Sequence, residues 1–304
     1  MELKNIAWQE KYRPQKVSDV VSDSREKILK YLESPESIPN FLFISRTPGT
    51  GKTTMAKAII KELDCNYCMI NSSDERGIDT VRETIKNFAK TISTDGKRKC
   101  AFLDEADGLT KQAQESLRNL METYSSNIFF ILTCNYVDKI IEPLQSRCVS
   151  IEFNKPDKIE IRNYLIKVLN NEGMQYTTDA IDKLIGLNYP SIRNCINYLQ
   201  DLNAQDKELT IANVVAKSEE FDKLWSKIKR LEYSDVIRNI LENNVDVFLL
   251  NNYFFDKLIE EKMIASKQIK IINYLADNEK YMKGAANPHI IFFDNLGKIA
   301  LALK

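Results

Sequence analysis

The sequence predicts an α/β domain built on a parallel sheet, followed by a region that folds only as helices. Three observations carry this reading. Short apolar runs recur with helix-favouring segments between them, the pattern of strands buried on both faces. The run Gly49-Thr50-Gly51-Lys52-Thr53 stands directly after one such strand and directly before a helix-favouring stretch, the setting of a phosphate-binding loop. After Asn154-Lys155-Pro156-Asp157 the strand pattern stops and helical periodicity continues alone.

In chain order, residues 41–44 read as the first strand and 52–63 as the helix behind the glycine-rich turn. Residues 67–70 read as a strand, 78–90 as a helix, 100–103 as a strand and 110–123 as a helix. Strands at 128–132 and 149–153 complete a domain spanning 1–153. Helices near 157–172, 177–187 and 190–202 form a small bundle within 154–216. Residues 217–304 make a second helical unit that includes segments at 246–261 and 266–278. There is no internal repeat and no low-complexity tract.

Composition sets the limits. With 304 residues, 43% hydrophobic and 28% charged, the chain is long enough for two or three domains and apolar enough to core them. No apolar run approaches the roughly 18–20 residues of a membrane helix. Met1-Glu2-Leu3-Lys4 lacks a signal-peptide pattern, so a protein neither secreted nor membrane-bound is expected. Six scattered cysteines suit a reducing compartment. Cys65 and Cys68 form a C-x-x-C, but no second ligand pair accompanies it and the only histidine, His289, is far away. Buried small apolar side chains are the better reading than zinc. Lys and Arg total 43, as do Asp and Glu, so charge clusters and not net charge must identify a nucleic-acid surface.

The chemistry begins at the loop. Pro48, Gly49, Thr50, Gly51, Lys52, Thr53 and Thr54 would cradle the phosphates of ATP with backbone N–H groups at a helix N-terminus. Lys52 would pair with the β- and γ-phosphates, and the Thr53 hydroxyl would ligate Mg²⁺. The full pattern asks for glycine at position 46. Arg46 stands there, where strain is expected if the turn needs glycine angles, and Pro48 sets a different approach to the turn. The run Cys100-Ala101-Phe102-Leu103-Asp104-Glu105 brings an acidic pair to the C-terminal end of a buried strand, where open α/β sheets bind ligands. Asp104 would hold Mg²⁺ and Glu105 would orient the attacking water; the competing reading is a surface acidic pair. Asn135 ends the next strand and could touch the γ-phosphate, or simply form a turn. Arg147, in Ser146-Arg147-Cys148, would lie at the domain edge. It is either a surface ion-pair residue or, in a ring of similar subunits, a stabiliser of charge at a neighbour's γ-phosphate.

Several runs together carry a family resemblance. They are Trp8-Gln9-Glu10-Lys11-Tyr12-Arg13-Pro14, the phosphate loop, Asp104-Glu105-Ala106-Asp107, the helix from Gln114 to Glu122, and Ile141-Glu142-Pro143-Leu144-Gln145-Ser146-Arg147-Cys148. The chain resembles the ATPase subunits of sliding-clamp loaders: the small subunits of replication factor C and, more closely, the ATPase subunit of T4-like phage clamp loaders, including the short phosphate-loop entry and the C-terminal Ala285-Ala286-Asn287 segment. The resemblance is strong over 8–153, fair over 154–216 and weaker beyond. It implies an AAA+ ATPase domain, an all-α lid and an all-α C-terminal collar that oligomerises. It also implies that Tyr12, Arg13 and Pro14 border an adenine pocket, with Val20 and Val21 against the base. Arg193, in Pro190-Ser191-Ile192-Arg193-Asn194, would sense the γ-phosphate from the lid, and Arg147 would act in trans as the finger. Lys52, Glu105, Asn135 and Arg147 would be the catalytic set.

A DNA surface follows from the same resemblance. Arg82, Lys86 and Lys90 recur every four residues on one predicted helix face, with Arg76 just before it and Lys111 at the start of a later helix. On their own they would read as a solvated face. In the family, these helices follow the backbone of primer–template DNA without reading its sequence. By the same resemblance the segment 88–99 is the expected clamp contact, whereas Asp95-Gly96 on its own reads as a turn.

The reading is therefore an ATP-driven, DNA- and clamp-stimulated loader subunit. Its partners would be other loader subunits in a pentameric assembly, a sliding clamp and primer–template DNA, with no membrane. It would act in the cytoplasm, the host's if the protein is from a phage. The alternatives are a non-hydrolysing structural subunit of the same assembly, favoured by Arg46, and another AAA+ DNA motor such as a branch-migration protein, disfavoured by Ser146-Arg147-Cys148. A DEAD-type helicase would need a second α/β domain where 154–304 reads as helical.

Overall fold

The computed structural model describes residues 7–47, 49–72, 78–91, 96–243, 245–261, 263–282 and 284–303. Two short helices, α1 (Trp8–Lys11) and α2 (Arg25–Leu32), precede the first strand, β1 (Phe41–Ile44). The chain then alternates through α3 (Lys52–Glu62), β2 (Asn66–Asn71), α4 (Ile78–Lys90), β3 (Lys99–Asp104), α5 (Lys111–Thr123), β4 (Ile128–Cys134), α6 (Glu142–Gln145) and β5 (Val149–Glu152). All neighbouring strands are parallel, in the order β2-β3-β4-β1-β5.

The apolar runs become strands because both faces of the sheet are covered. Leu42, Leu103, Leu132 and Phe130 pack with α4 and α5 on one face. Phe41, Phe43, Phe102 and Ile131 pack with α2 and α3 on the other. Two strands are longer than their apolar runs. β4 continues to Cys134 because Thr133 and Cys134 pair with Phe43 and Ile44 of β1. β2 takes in Asn66 and Asn71, which pair with Lys99 and Asp104. This arrangement brings the C-terminal ends of β1, β4 and β3 side by side, the crevice edge of an open α/β sheet.

Beyond β5 the described residues form helices and no further strand. The helices are α7 (Lys158–Glu172), α8 (Thr178–Asn188), α9 (Ile192–Ala204), α10 (Ile211–Lys229), α11 (Tyr233–Glu242), α12 (Val247–Glu260), α13 (Ala265–Met282) and α14 (Pro288–Leu303). Local chemistry marks their ends. Asp157 accepts from the Ile159 and Glu160 amides to start α7, and Gly173, at φ 66°, ends it. No helix among the described residues is long and apolar enough to cross a membrane.

The chain divides into two units, Met1–Ile211 and Ala212–Lys304. The expected 153/154 boundary falls inside the first. That unit is stitched together by its N-terminal arm: the Trp8 amide donates to Gln200 Oε1 (2.9 Å), and Lys11 Nζ and Tyr12 Oη reach Glu172 (2.6 and 2.7 Å). Tyr164 Oη donates to the Tyr12 carbonyl (2.7 Å).

The second unit packs Trp225, Ile240, Phe254, Leu275 and Phe292 in its own core. A polar row runs into it from the exposed Lys298 to the buried Asn295, Asn278 and Asn251. Lys298 Nζ donates to Asn295 Oδ1 (3.1 Å), Asn295 to Asn278 (2.8 Å), Asn278 to Asn251 (2.9 Å), and Asn251 to the Leu275 carbonyl (3.1 Å).

Candidate nucleotide site

The loop after β1 turns on two glycines. Gly49 and Gly51 have φ of 79° and 95°, angles that L side chains rarely adopt. A Cβ on Gly51 would also meet Val20 Cγ1 at 3.7 Å, and one on Gly49 would meet Ser191 Oγ at 3.5 Å. The strain expected at Arg46 does not occur. Positive φ among described non-glycine residues is found at Asp64, Glu105, Asp206 and Leu231, and Arg46 is an exposed residue before the turn. The turn's left-handed angles fall on Gly49 and Gly51, so position 46 does not need glycine. Pro48 lies outside the described residues.

Gly51 opens α3, whose first turn carries Lys52 and Thr53. Lys52 Nζ lies 3.2 Å from the Ser45 carbonyl and 2.9 Å from Asn135 Oδ1. Burial holds its pKa below the ordinary lysine value. The Thr53 hydroxyl is shared between the two oxygens of Asp104, at 3.0 and 3.1 Å. Asp104 Oδ1 also accepts from the Thr133 hydroxyl at 2.6 Å, which in turn accepts the Glu105 amide at 2.9 Å. Glu105 has φ 56° and is exposed. Asp107 Oδ2 accepts the amides of Asn135 (3.3 Å) and Tyr136 (3.2 Å), tying the end of β4 to the turn after β3. At the start of α3, Lys52 therefore pairs with Asn135, just past β4, and the adjacent Thr53 pairs with Asp104 at the end of β3, which clusters the four residues. A hydroxyl and a carboxylate 3 Å apart form an all-oxygen donor set, which fits Mg²⁺.

Beside this cluster a cleft is lined by Gly49 to Thr54 of the loop and by Arg13, Pro14, Val20, Val21 and Arg193. Of the arm residues, Tyr12 is the exception: its hydroxyl is turned to Glu172, and it does not line the cleft. Arg13 pairs with Glu10 and approaches Thr54 Oγ1 at 3.5 Å.

Arg147 lies elsewhere. It follows α6, donates to the Pro143 carbonyl (2.8 Å), pairs with Glu122, and does not line the cleft. Of the basic residues expected to meet DNA, Arg82 and Lys90 on α4 and Lys111 on α5 are exposed and Lys86 is half-buried, on two helices packed against each other. Arg76 lies outside the described residues, as does the middle of the 88–99 segment. Lys99, at the end of that segment, points inward. It is buried and donates to the Phe88 carbonyl and the Thr91 hydroxyl (2.9 Å each), capping the end of α4. Burial pushes the Cys65 and Cys68 thiols up to about 11, so neither is a thiolate at neutral pH.

Sequence reasoning missed four contributors. Thr133 bridges Asp104 and Glu105; Asp107 braces Asn135; Tyr164 and Ile196 line the cleft. Only Thr133 carried a usable signal, a lone hydroxyl in the run Ile-Phe-Phe-Ile-Leu-Thr-Cys. The others depend on contacts distant in sequence.

Fold and site together define a P-loop ATPase of the AAA class. The family profile for "ATPase family associated with various cellular activities (AAA)" matches residues 42–156. Among curated relatives, the replication factor C small subunit of Archaeoglobus fulgidus is 37% identical over 270 residues, 86% of this chain and 81% of that protein. That of Methanosphaera stadtmanae is 32% identical across 97% of both chains. That of Methanocella arvoryzae is 41% identical over 67% of this chain and 65% of that protein, just under two thirds of its length. The chain belongs to the replication factor C small-subunit family. Among solved structures, the Thermotoga maritima RuvB Holliday junction branch migration motor aligns with a TM-score of 0.60 over 77% of this chain and 86% of that chain. At 16% identity, that likeness concerns the fold alone.

Proposed function

We propose that this chain is the ATP-hydrolysing subunit of a sliding-clamp loader acting in DNA replication. The observation that carries the proposal is the cluster of Lys52, Thr53, Asp104 and Asn135 at the C-terminal ends of three adjacent strands, in a chain of the replication factor C small-subunit family. On this reading residues 1–153 are the ATPase domain, 154–216 the lid and 217–304 the collar through which subunits associate, with a pentamer as the assembly.

The roles follow from position. The loop amides and Lys52 would hold the phosphates of ATP, and Thr53 and Asp104 would hold Mg²⁺, which when bound neutralises charge between the β- and γ-phosphates. Arg13, Pro14, Val20 and Val21 would wall the base, and Arg193 would reach the terminal phosphate from α9. Glu105 would orient and deprotonate the attacking water, with Asn135 positioning it. Arg147 is placed outside its own cleft, which favours action on a neighbour's nucleotide. Arg82, Lys86, Lys90 and Lys111, with Arg76, would follow the phosphates of primer–template DNA at the centre of the assembly, making DNA binding steeply salt-dependent.

The test is Arg147→Ala in the assembled complex. Its ion pair with Glu122 is a surface contact worth about 0–1 kcal/mol, so folding and ATP affinity should hold. Clamp- and DNA-stimulated turnover should fall by about 10³-fold. Full stimulated activity would refute the trans role. Absence of Mg²⁺-dependent ATP binding by the unaltered chain would favour a structural, non-hydrolysing subunit instead.

A further inference from the structure

Thr133 is a hydroxyl residue in a strand buried along its whole length, and it is only 1% exposed. A β-branched apolar side chain would suit such a site better unless the hydroxyl's hydrogen-bonding capacity were used. It is used in both directions. The hydroxyl donates to Asp104 Oδ1 at 2.6 Å and accepts the Glu105 amide at 2.9 Å. One atom on β4 thus touches both members of the acidic pair at the end of β3. Glu105 needs such a hold, because a left-handed backbone is disfavoured for any residue with a Cβ. Its carbonyl is held as well, accepting the Gly108 amide at 2.8 Å.

We propose that Thr133 is a positioning residue for ATP hydrolysis, setting the direction of the Asp104 carboxylate and pinning the Glu105 backbone so that the two acids present one fixed geometry. This rests on the nucleotide reading above. Asp104 accepts two hydroxyls, those of Thr53 and Thr133. The phosphate-loop chemistry assigns the Thr53 hydroxyl to the cation, which leaves Thr133 as the hydroxyl that keeps Asp104 aimed. Outer-shell partners of this kind commonly carry a substantial part of metal affinity and activity. Serine could make both hydrogen bonds; valine, of the same shape, could make neither.

The experiment compares full-length wild type with Thr133→Val and Thr133→Ser. A fluorescent ATP analogue is titrated with EDTA and with Mg²⁺, and turnover is measured in the assembled complex. With EDTA all three should bind within about twofold of one another, because neither acid's aim matters without the cation. Thr133→Val should lose about 10–100-fold of the affinity gained on adding Mg²⁺, and a similar factor in kcat, while Thr133→Ser keeps most of both. The inference is overturned if Thr133→Val retains the wild-type Mg²⁺ gain and turnover, or if Thr133→Ser falls as far as Thr133→Val. It is also overturned if Thr133→Val loses affinity equally in EDTA, which would make Thr133 a packing residue. A wild-type chain with no Mg²⁺ gain at all would sink the nucleotide reading itself, a result distinct from an intact gain that Thr133→Val leaves untouched.

Discussion

Replacing Asn278 with leucine in the C-terminal unit should destabilise that unit by a large, measurable amount. Asn278 is fully buried and sits in the middle of the polar row, donating to Asn251 and accepting from Asn295. Leucine keeps the branching of asparagine, though bulkier, but orphans Asn251 Oδ1 and Asn295 Nδ2. Each buried unpaired group costs about 1–3 kcal/mol, and the added apolar burial offsets part of this, so about 2–5 kcal/mol should be lost. A unit of residues 212–304 has about 5–14 kcal/mol in total, at about 0.05–0.15 kcal/mol per residue, so the change would move its urea midpoint far. Trp225 is buried in the same core beside Phe254 and reports on this unit once Trp8 is replaced by phenylalanine. Leucine at 251, 278 and 295 together removes the orphans and should recover at least half of the loss. A single-variant shift under about 0.5 kcal/mol, or a triple variant weaker than the single, would refute the assignment of stability to the row.

Gln114 on α5 is 1% exposed and donates to the carbonyls of Leu109 (3.2 Å) and Lys139 (2.9 Å) while accepting the Ile141 amide (2.9 Å). Gln114→Leu should cost the first unit about 2–4 kcal/mol in urea denaturation, and an unchanged midpoint would contradict that ledger. Arg193→Ala should weaken ATP binding about tenfold, consistent with loss of one charge-assisted contact, without altering the melting temperature. Burial holds the Lys52 pKa below 10.5, so the folded chain releases that proton before the unfolded chain does. Stability should therefore rise with pH between the depressed value and 10.5, and this slope should vanish in Lys52→Met; equal pH profiles for the two proteins would count against a buried charge.

Much of the sheet was legible because its determinants are local. The run at 41–44 is apolar at every position and is bounded by Asn40 and Ser45, so its limits coincide with β1. The helix at 78–90 carries a strong apolar stripe and matches α4. Asp104, Lys52 and Asn135 were legible because the end of a buried strand is where a parallel sheet exposes polar groups. The polar ends of β2 and β4 were not, since pairing with a neighbour extends a strand beyond its apolar run. The backbone strain expected at Arg46 is absent, because motif spacing does not reveal which residues take left-handed angles. Tyr12 turning to Glu172, 160 positions away, and Asp107 reaching back under Asn135 are choices of tertiary partner that no local pattern encodes.

The N-terminal arm is anchored to two sets of helices within the first compact unit. Trp8, Lys11 and Tyr12 hold to α7 and α9, whereas Arg13 reaches Thr54 and the Val17 amide donates to Glu62 Oε2 at 2.7 Å, both on α3. The anchorage passes from α7 to α3 between Tyr12 and Arg13, immediately before Pro14. On the proposed nucleotide reading, loss of the tether at Glu172 should therefore weaken the hold on the base, walled by Arg13 and Pro14, more than the hold on the phosphates by the loop after β1.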